Sequence, residues 1–181
     1  MTTQQVVDDS GALDIFPKLL GHPNNLVRKE ICWMISNIAA GTLLQLETLV
    51  SKGYLKTMTH ILKNEESSIR YEAIWSICNF TLIEKRELIE SIFKDGIVDS
   101  ICYIIKFKQA RFIAVGLEAL CNLLKFGKTH FANQDGSNPV EIELEKNGMF
   151  DVLESLQYHE SEIVYEKAYN LIETYFDVDR E

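Results

Sequence analysis

The octapeptide Glu30-Ile31-Cys32-Trp33-Met34-Ile35-Ser36-Asn37 returns 42 positions later as Glu72-Ala73-Ile74-Trp75-Ser76-Ile77-Cys78-Asn79. A chain organised on so long a period is built from stacked supersecondary units, because one such unit cannot bury its own apolar face. A second signal runs at the same interval. Gly11, Gly53, Gly96 and Gly148 are spaced by 42, 43 and 52 positions. Apolar residues follow the first three at matching offsets: Leu13, Phe16, Leu19 and Leu20; Leu55, Met58, Ile61 and Leu62; Val98, Ile101, Ile104 and Ile105. Gly148 leads Phe150, Leu153 and Leu156. These offsets give the 3.6-residue period of an amphipathic helix, and glycine supplies the turn before it.

A longer helix is predicted after each of these, over about Pro23–Ala40, Ser67–Leu82, Gln109–Phe126 and Ser161–Phe176. Shorter helices join the units, over about Leu43–Ser51, Glu84–Lys94 and Pro139–Lys146. Gly41 is expected to close a helix in a left-handed conformation. Thr42 then caps the next helix, with Gln45 completing a capping box. Asn138-Pro139 reads as another cap, with proline at the first helical position. The wider last interval is taken up by Gly127–Asn138, a polar, turn-rich insertion expected to form a surface loop.

The chain therefore reads as all-α, a right-handed α-solenoid over residues 1–181 with an incomplete first unit. Its units fall at about 1–41, 42–83, 84–126 and 139–176, with the insertion at 127–138 and an acidic end at 177–181. The short stretch before Gly11 leads us to expect that the native polypeptide extends upstream.

On the long helices, Glu30, Trp33 and Asn37 share one stripe and Glu72, Trp75 and Asn79 another, while Ile31, Ile35 and Ile38 point elsewhere. A lone Trp at helical spacing belongs to a core as a rule. Two at identical phase, each with Asn four later and Glu three earlier, are harder to explain as packing, since Ile or Leu fills a core more simply. Two indoles on adjacent helices can sandwich a lysine stem and add a cation–π contribution of about 0.5 to 2 kcal/mol. An Asn amide can pair with a peptide's N–H and C=O whatever its side chains are. Helices pack about 8 to 10 Å apart and an extended chain covers about 3.3 Å per residue, so each step serves two or three ligand residues.

Composition narrows the partner. The net charge of −9 disfavours nucleic acid and anionic membranes and favours a basic ligand. No apolar run reaches the roughly 18 residues that span a bilayer, and the first ten residues lack the pattern of a signal peptide. Cys32, Cys78, Cys102 and Cys121 lie inside helical segments without a CxxC pair and read as small, reduced core residues. His22, His60, His130 and His159 are scattered, and no HExxH, phosphate loop or Ser/His/Asp arrangement can be placed. We therefore expect no enzyme, no metal and no cofactor. Tyr158, Tyr165, Tyr169 and Tyr175 are expected to seal the terminal core with their hydroxyls at the surface.

The segments Arg28–Gly41, Tyr71–Phe80, Gly116–Gly127 and Leu156–Phe176 resemble, in order, the seventh to tenth armadillo repeats of the importin-α family. The resemblance implies an adaptor that shuttles between cytoplasm and nucleus and binds lysine-rich nuclear localisation signals on its concave face. It assigns peptide binding to Trp33, Asn37, Trp75 and Asn79, with Glu72 and Glu30 reading basic side chains, as the smaller of the family's two signal sites. In the third unit Glu118 stands at the Trp position while Asn122 is kept, and both complete the candidate set. In the fourth, Tyr169 and Glu173 replace Trp and Asn. A purely structural bridge between repeats best suits Asn122, which has no Trp beside it.

Leu82 and Ile83 stand where the family has a glycine pair. The importin-β-binding basic segment of the family is not found in these residues. The resemblance also directs the last repeats and their acidic side chains, among them Glu160, Glu162, Glu166, Glu173, Asp177 and Asp179, to an export receptor. Two alternatives stay open: a general armadillo scaffold for a non-signal protein partner, and the regulatory helical domain of an enzyme.

Overall fold

A computed structural model describes residues 11–131 and 137–176. Eleven α-helices follow one another: α1 (Ala12–Leu20), α2 (Asn25–Ala39), α3 (Leu43–Ser51), α4 (Tyr54–Asn64), α5 (Ser67–Phe80), α6 (Arg86–Lys94), α7 (Ile97–Ile105), α8 (Ala110–Phe126), α9 (Pro139–Lys146), α10 (Met149–Leu156) and α11 (Glu162–Tyr175). No strand occurs among the described residues, and no helix there is long and apolar enough to cross a membrane. The chain divides into two compact units, Met1–Asp95 and Gly96–Glu181.

The four periodic glycines all take positive φ, from +61° to +81°, and each stands immediately before a helix that starts a new direction. L-residues pay a steric cost there that glycine avoids. The helices they introduce bury most of the residues the offsets named: Leu13 and Phe16 in α1, Leu55, Met58, Ile61 and Leu62 in α4, Val98, Ile101, Ile104 and Ile105 in α7, and Leu153 and Leu156 in α10; Leu19 and Leu20 are only half-buried and Phe150 is exposed.

In the first unit, α5 packs against both α2 and α4, and α3 against α4 and α6. Its layers are tied by side chains reaching about one repeat along the chain. Arg28 grips Glu65 with two hydrogen bonds of 2.8 and 2.9 Å, and its remaining terminal nitrogen donates to the His22 carbonyl at 2.7 Å. The buried Tyr54 hydroxyl donates to the Leu13 carbonyl. Burial, and then the nearby Asp14, push that hydroxyl up to about 12. In the second unit, α8 packs against α7 and α11, and Val164, Ala168 and Leu171 form the buried face of α11.

Helix ends differ from the periodicity at several points. Asn24 caps α2 by accepting from Leu26 N–H at 2.9 Å, so Pro23 and Asn24 lie outside the helix. The helix expected to reach Leu82 stops at Phe80, where Thr81 and Leu82 N–H groups fold back on the Cys78 and Asn79 carbonyls. That turn closes without positive φ, Leu82 outward and Ile83 buried, so no glycine pair is required. The helix expected from Glu84 starts at Arg86.

Gly41 is not left-handed. The Thr42–Gln45 capping box does form, and Gln45 Oε1 accepts from Thr42 N–H at 2.9 Å. The returning Gln45 side chain passes over Gly41, where a Cβ would collide with its oxygen. Glycine is needed there for space.

Both described ends of the insertion carry regular structure. Residues Gly127–Phe131 continue α8 as a π-helical turn, with His130 stacked on Phe126 at 4.3 Å. Asn138 is buried: its Nδ2 donates to the Leu124 carbonyl at 3.1 Å, while its Oδ1 accepts from Val140 N–H at 3.0 Å and caps α9. The middle of the insertion and the acidic end at 177–181, with Asp177 and Asp179, lie outside the described residues.

Three of the four tyrosines do not seal the terminal core as expected. Tyr158 is 90% exposed, and Tyr165 and Tyr169 lie outward with their rings 6.0 Å apart. The aliphatic face of α11 fills the core without these three rings. Tyr175 alone of the four is neither exposed nor fully buried.

Candidate functional site

Helix α2 places its aliphatic residues inward: Ile31, Ile35 and Ile38 are 6%, 0% and 3% exposed. With that side committed to packing, the 3.6-residue period sends Glu30, Trp33 and Asn37 outward. All three are exposed, Trp33 to 51%. Helix α5 repeats the division. Ile69, Ala73, Ile74 and Ile77 are fully buried, whereas Trp75 is 39% exposed and Glu72 and Asn79 lie at the surface margin. Two indoles on packed neighbouring helices thus stay in water although the molecule has ample core to hold them. Trp75 is steadied by an edge-to-face contact with Tyr71, 6.1 Å between ring centres.

The electrostatics of the stripe are acidic with one internal cation. Partial burial is the main cause holding the Glu72 carboxyl above the usual carboxylate value. Lys29 pulls it back down and Glu30 pushes it up. Glu30 and Glu72, 42 positions apart, therefore feel one another as like charges, and a cation brought between them relieves that repulsion.

Asn79 has a role that the repeat pattern did not disclose. Its Nδ2 donates to the carbonyl of Ser36 in α2 at 2.9 Å. The bridging amide of this surface is therefore Asn79. Ser36 itself is buried and its Oγ donates to the Trp33 carbonyl at 2.8 Å. A buried serine one position before Asn37 was the available signal, since its backbone must lie against the next helix.

In the second unit, Glu118 at the Trp position is exposed and forms an ion pair with Lys167 of α11. Asn122, one turn further on, is half-buried. The first unit thus gathers Glu30, Trp33, Asn37, Glu72, Trp75 and Asn79 on α2 and α5, while Glu118 already holds a partner from its own unit.

No group of residues with potential metal ligands comes together among the described residues. Cys32, Cys78 and Cys102 are buried, and burial pushes the Cys32 and Cys102 thiols up to about 12, far from the range of a nucleophile at neutral pH.

The glycine-punctuated helices and their packing define the chain as an armadillo-repeat protein. The armadillo/β-catenin-like repeat model matches residues 2–40 and the atypical armadillo repeat model residues 138–181. Over most of its length the chain is similar to importin α subunits. It is 33% identical to importin subunit alpha-4 of Arabidopsis thaliana over 157 residues, which cover 86% of this chain and 29% of that protein. It is 27% identical to importin subunit alpha-1 of Caenorhabditis elegans, covering 96% of this chain and 32% of that one. The chain therefore spans about a third of the length of these relatives.

Among solved structures it is similar to computationally designed armadillo repeat proteins for modular peptide recognition, with a TM-score of 0.80, 25% identity, and coverage of 96% of this chain and 68% of that one. It is also similar to a designed armadillo repeat protein in complex with the peptide (KR)4, with a TM-score of 0.79, 26% identity and coverage of 96% and 67%. The chain thus has an all-α armadillo-repeat fold.

Proposed function

We propose that this chain binds extended basic peptides along α2 and α5, and that its ligands are nuclear localisation signals of proteins carried between cytoplasm and nucleus. The observation that carries the reading is the pair of exposed indoles, Trp33 and Trp75, at one helical phase with Glu30 and Glu72 beside them. Each ring offers a flat apolar face to a lysine or arginine stem, and the two carboxylates offer a site to its charged head. Asn37 and Asn79 serve the peptide backbone. The likeness to importin α subunits, and to a designed armadillo protein holding alternating lysine and arginine, supports the same ligand chemistry.

In this reading the chain is the part of an import adaptor that holds the smaller signal site, and it performs no chemistry. Glu118 and Asn122 are the corresponding candidates within the second unit, where Lys167 competes for the Glu118 carboxylate. The acidic outer residues of the last repeats face an export receptor.

The test is fluorescence anisotropy of a labelled Lys/Arg-rich peptide titrated with the protein, alongside Trp33→Ala and Trp75→Ala. Each variant is expected to lose about 0.5 to 2 kcal/mol, a factor of about 2 to 30 in affinity. Their thermal unfolding should shift little, since both rings are substantially exposed. Unchanged binding in both variants overturns the reading.

A further inference from the structure

The repeat that carries the two tryptophans extends further back than the matched octapeptides. Arg28-Lys29-Glu30 and Arg70-Tyr71-Glu72 agree at their outer members and differ at the middle one. Positions 29 and 71 lie four residues before Trp33 and Trp75, where side chains on one helix face meet. The residue that changes is therefore the neighbour of each indole along its own helix. On α5 that neighbour is Tyr71, half-buried, its ring edge to face with Trp75 at 6.1 Å between centres and 81° between planes. On α2 it is Lys29, whose flexible stem and hydrated charge give an indole no such hold. Trp33 has no ring partner among the described residues. The two indoles share a phase and both meet water, yet they differ in how firmly each is held.

We propose that Tyr71 is a positioning residue, which braces Trp75 as the fixed wall of the cation slot, while Trp33 is the wall that settles onto the ligand. This rests on the peptide-binding reading above and deepens it. A ring that turns freely must give up that freedom when a lysine or arginine stem stacks on it, and the loss is subtracted from affinity. Trp75 has surrendered that freedom in the free protein, through a contact that no ligand has to make. It still keeps 39% of its surface exposed, so the brace leaves ring surface for a ligand. Tyr71 acts through Trp75 and needs no contact of its own with the peptide.

Two measurements on the full chain test this. Trp33 and Trp75 are its only tryptophans, so Trp33→Phe and Trp75→Phe each leave one indole to observe. Time-resolved fluorescence anisotropy of the free proteins should show the subnanosecond ring motion of Trp75 at no more than about half the amplitude of that of Trp33. Adding Tyr71→Leu to the Trp33→Phe chain should bring Trp75 to the amplitude of Trp33, and Tyr71→Phe, which keeps the ring, should hold it low. Equal motion of the two indoles, or a Trp75 motion indifferent to Tyr71→Leu, overturns the proposal.

In the second measurement, a labelled peptide with one lysine-arginine cluster is titrated with chains that keep both tryptophans. Tyr71→Leu should weaken binding about two- to tenfold, and Tyr71→Phe should restore it. The weakening should persist in a Trp33→Ala background and disappear in a Trp75→Ala background, where the brace has nothing left to hold. If the unmodified chain binds and the weakening survives in Trp75→Ala, or never occurs, this proposal alone fails. If the unmodified chain does not bind the peptide, the proposed function fails and takes the ligand half of this proposal with it. Should Tyr71→Leu prove poorly folded, the comparison of Trp75 with Trp33, both with Tyr71 in place, still decides whether the brace exists.

Discussion

At the scale of single residues, Glu72 makes the candidate site sensitive to pH. Its carboxyl is held above the ordinary value of 4.5 chiefly by burial, with Lys29 opposing and Glu30 adding to the shift. A raised carboxylate takes up a proton more readily when folded, so Glu72 contributes stability below 4.5 that is lost as pH rises through its raised value. Ligand binding runs the other way. A bound ammonium or guanidinium favours the ionised form, so affinity for a basic peptide should climb as pH rises from 4.5 through the raised range and then level off. Anisotropy titrations across that range should show a steeper climb for the unmodified protein than for Glu72→Gln. Equal slopes would remove Glu72 from the ligand's charge recognition. The sign is opposite at Glu65, whose carboxyl is held below the usual range by its bonds to Arg28. Its stabilisation is present above 4.5 and is lost as pH falls through the depressed value. Glu65→Gln should therefore lower the unfolding midpoint near neutral pH and leave it nearly unchanged in strong acid, as followed by circular dichroism.

At the scale of elements, two glycines that look alike in sequence work by different physics. Gly53 has φ of +76° and open space where a Cβ would go. Gly53→Ala should therefore cost about 1 to 2 kcal/mol of backbone strain, whatever stands nearby. Gly41 has no such φ, but its missing Cβ is the space through which Gln45 returns to cap α3. Gly41→Ala should cost about 0.5 to 2 kcal/mol by spoiling the capping box. Most of that cost should vanish in a Gln45→Ala background, while the cost of Gly53→Ala should not change. Chemical denaturation of the three single and two double variants closes one double-mutant cycle at each glycine, and equal coupling at both would refute the distinction.

At the scale of the whole molecule, the charge of −9 supplies a long-range attraction for a cationic ligand that no single contact reports. Screening shortens its reach to about 10 Å at 0.1 M salt. Affinity for a Lys/Arg-rich peptide should fall at least about threefold between low and physiological salt, mostly through a slower association rate. Stopped-flow association at two ionic strengths measures this, and a salt-independent rate would argue that the indoles act without electrostatic help.

The sequence alone determined the class of fold. Its period, the four glycines and the apolar offsets are local and repeated, and local rules suffice for them: a positive φ favours glycine, and an amphipathic helix buries every third or fourth residue. The same period placed Trp33 and Trp75 outward, because the aliphatic side of each helix was already committed to the core. Tertiary structure decided which of those residues remain available. Whether Asn79 bridges to Ser36 or Glu118 meets Lys167 depends on contacts 43 and 49 positions apart, which no helical period specifies. Gly41, the π-helical turn at Gly127–Phe131 and the outward Tyr158 were illegible for the same reason. Their conformations answer to a neighbouring side chain or to a core already filled, and those are properties of packing in three dimensions.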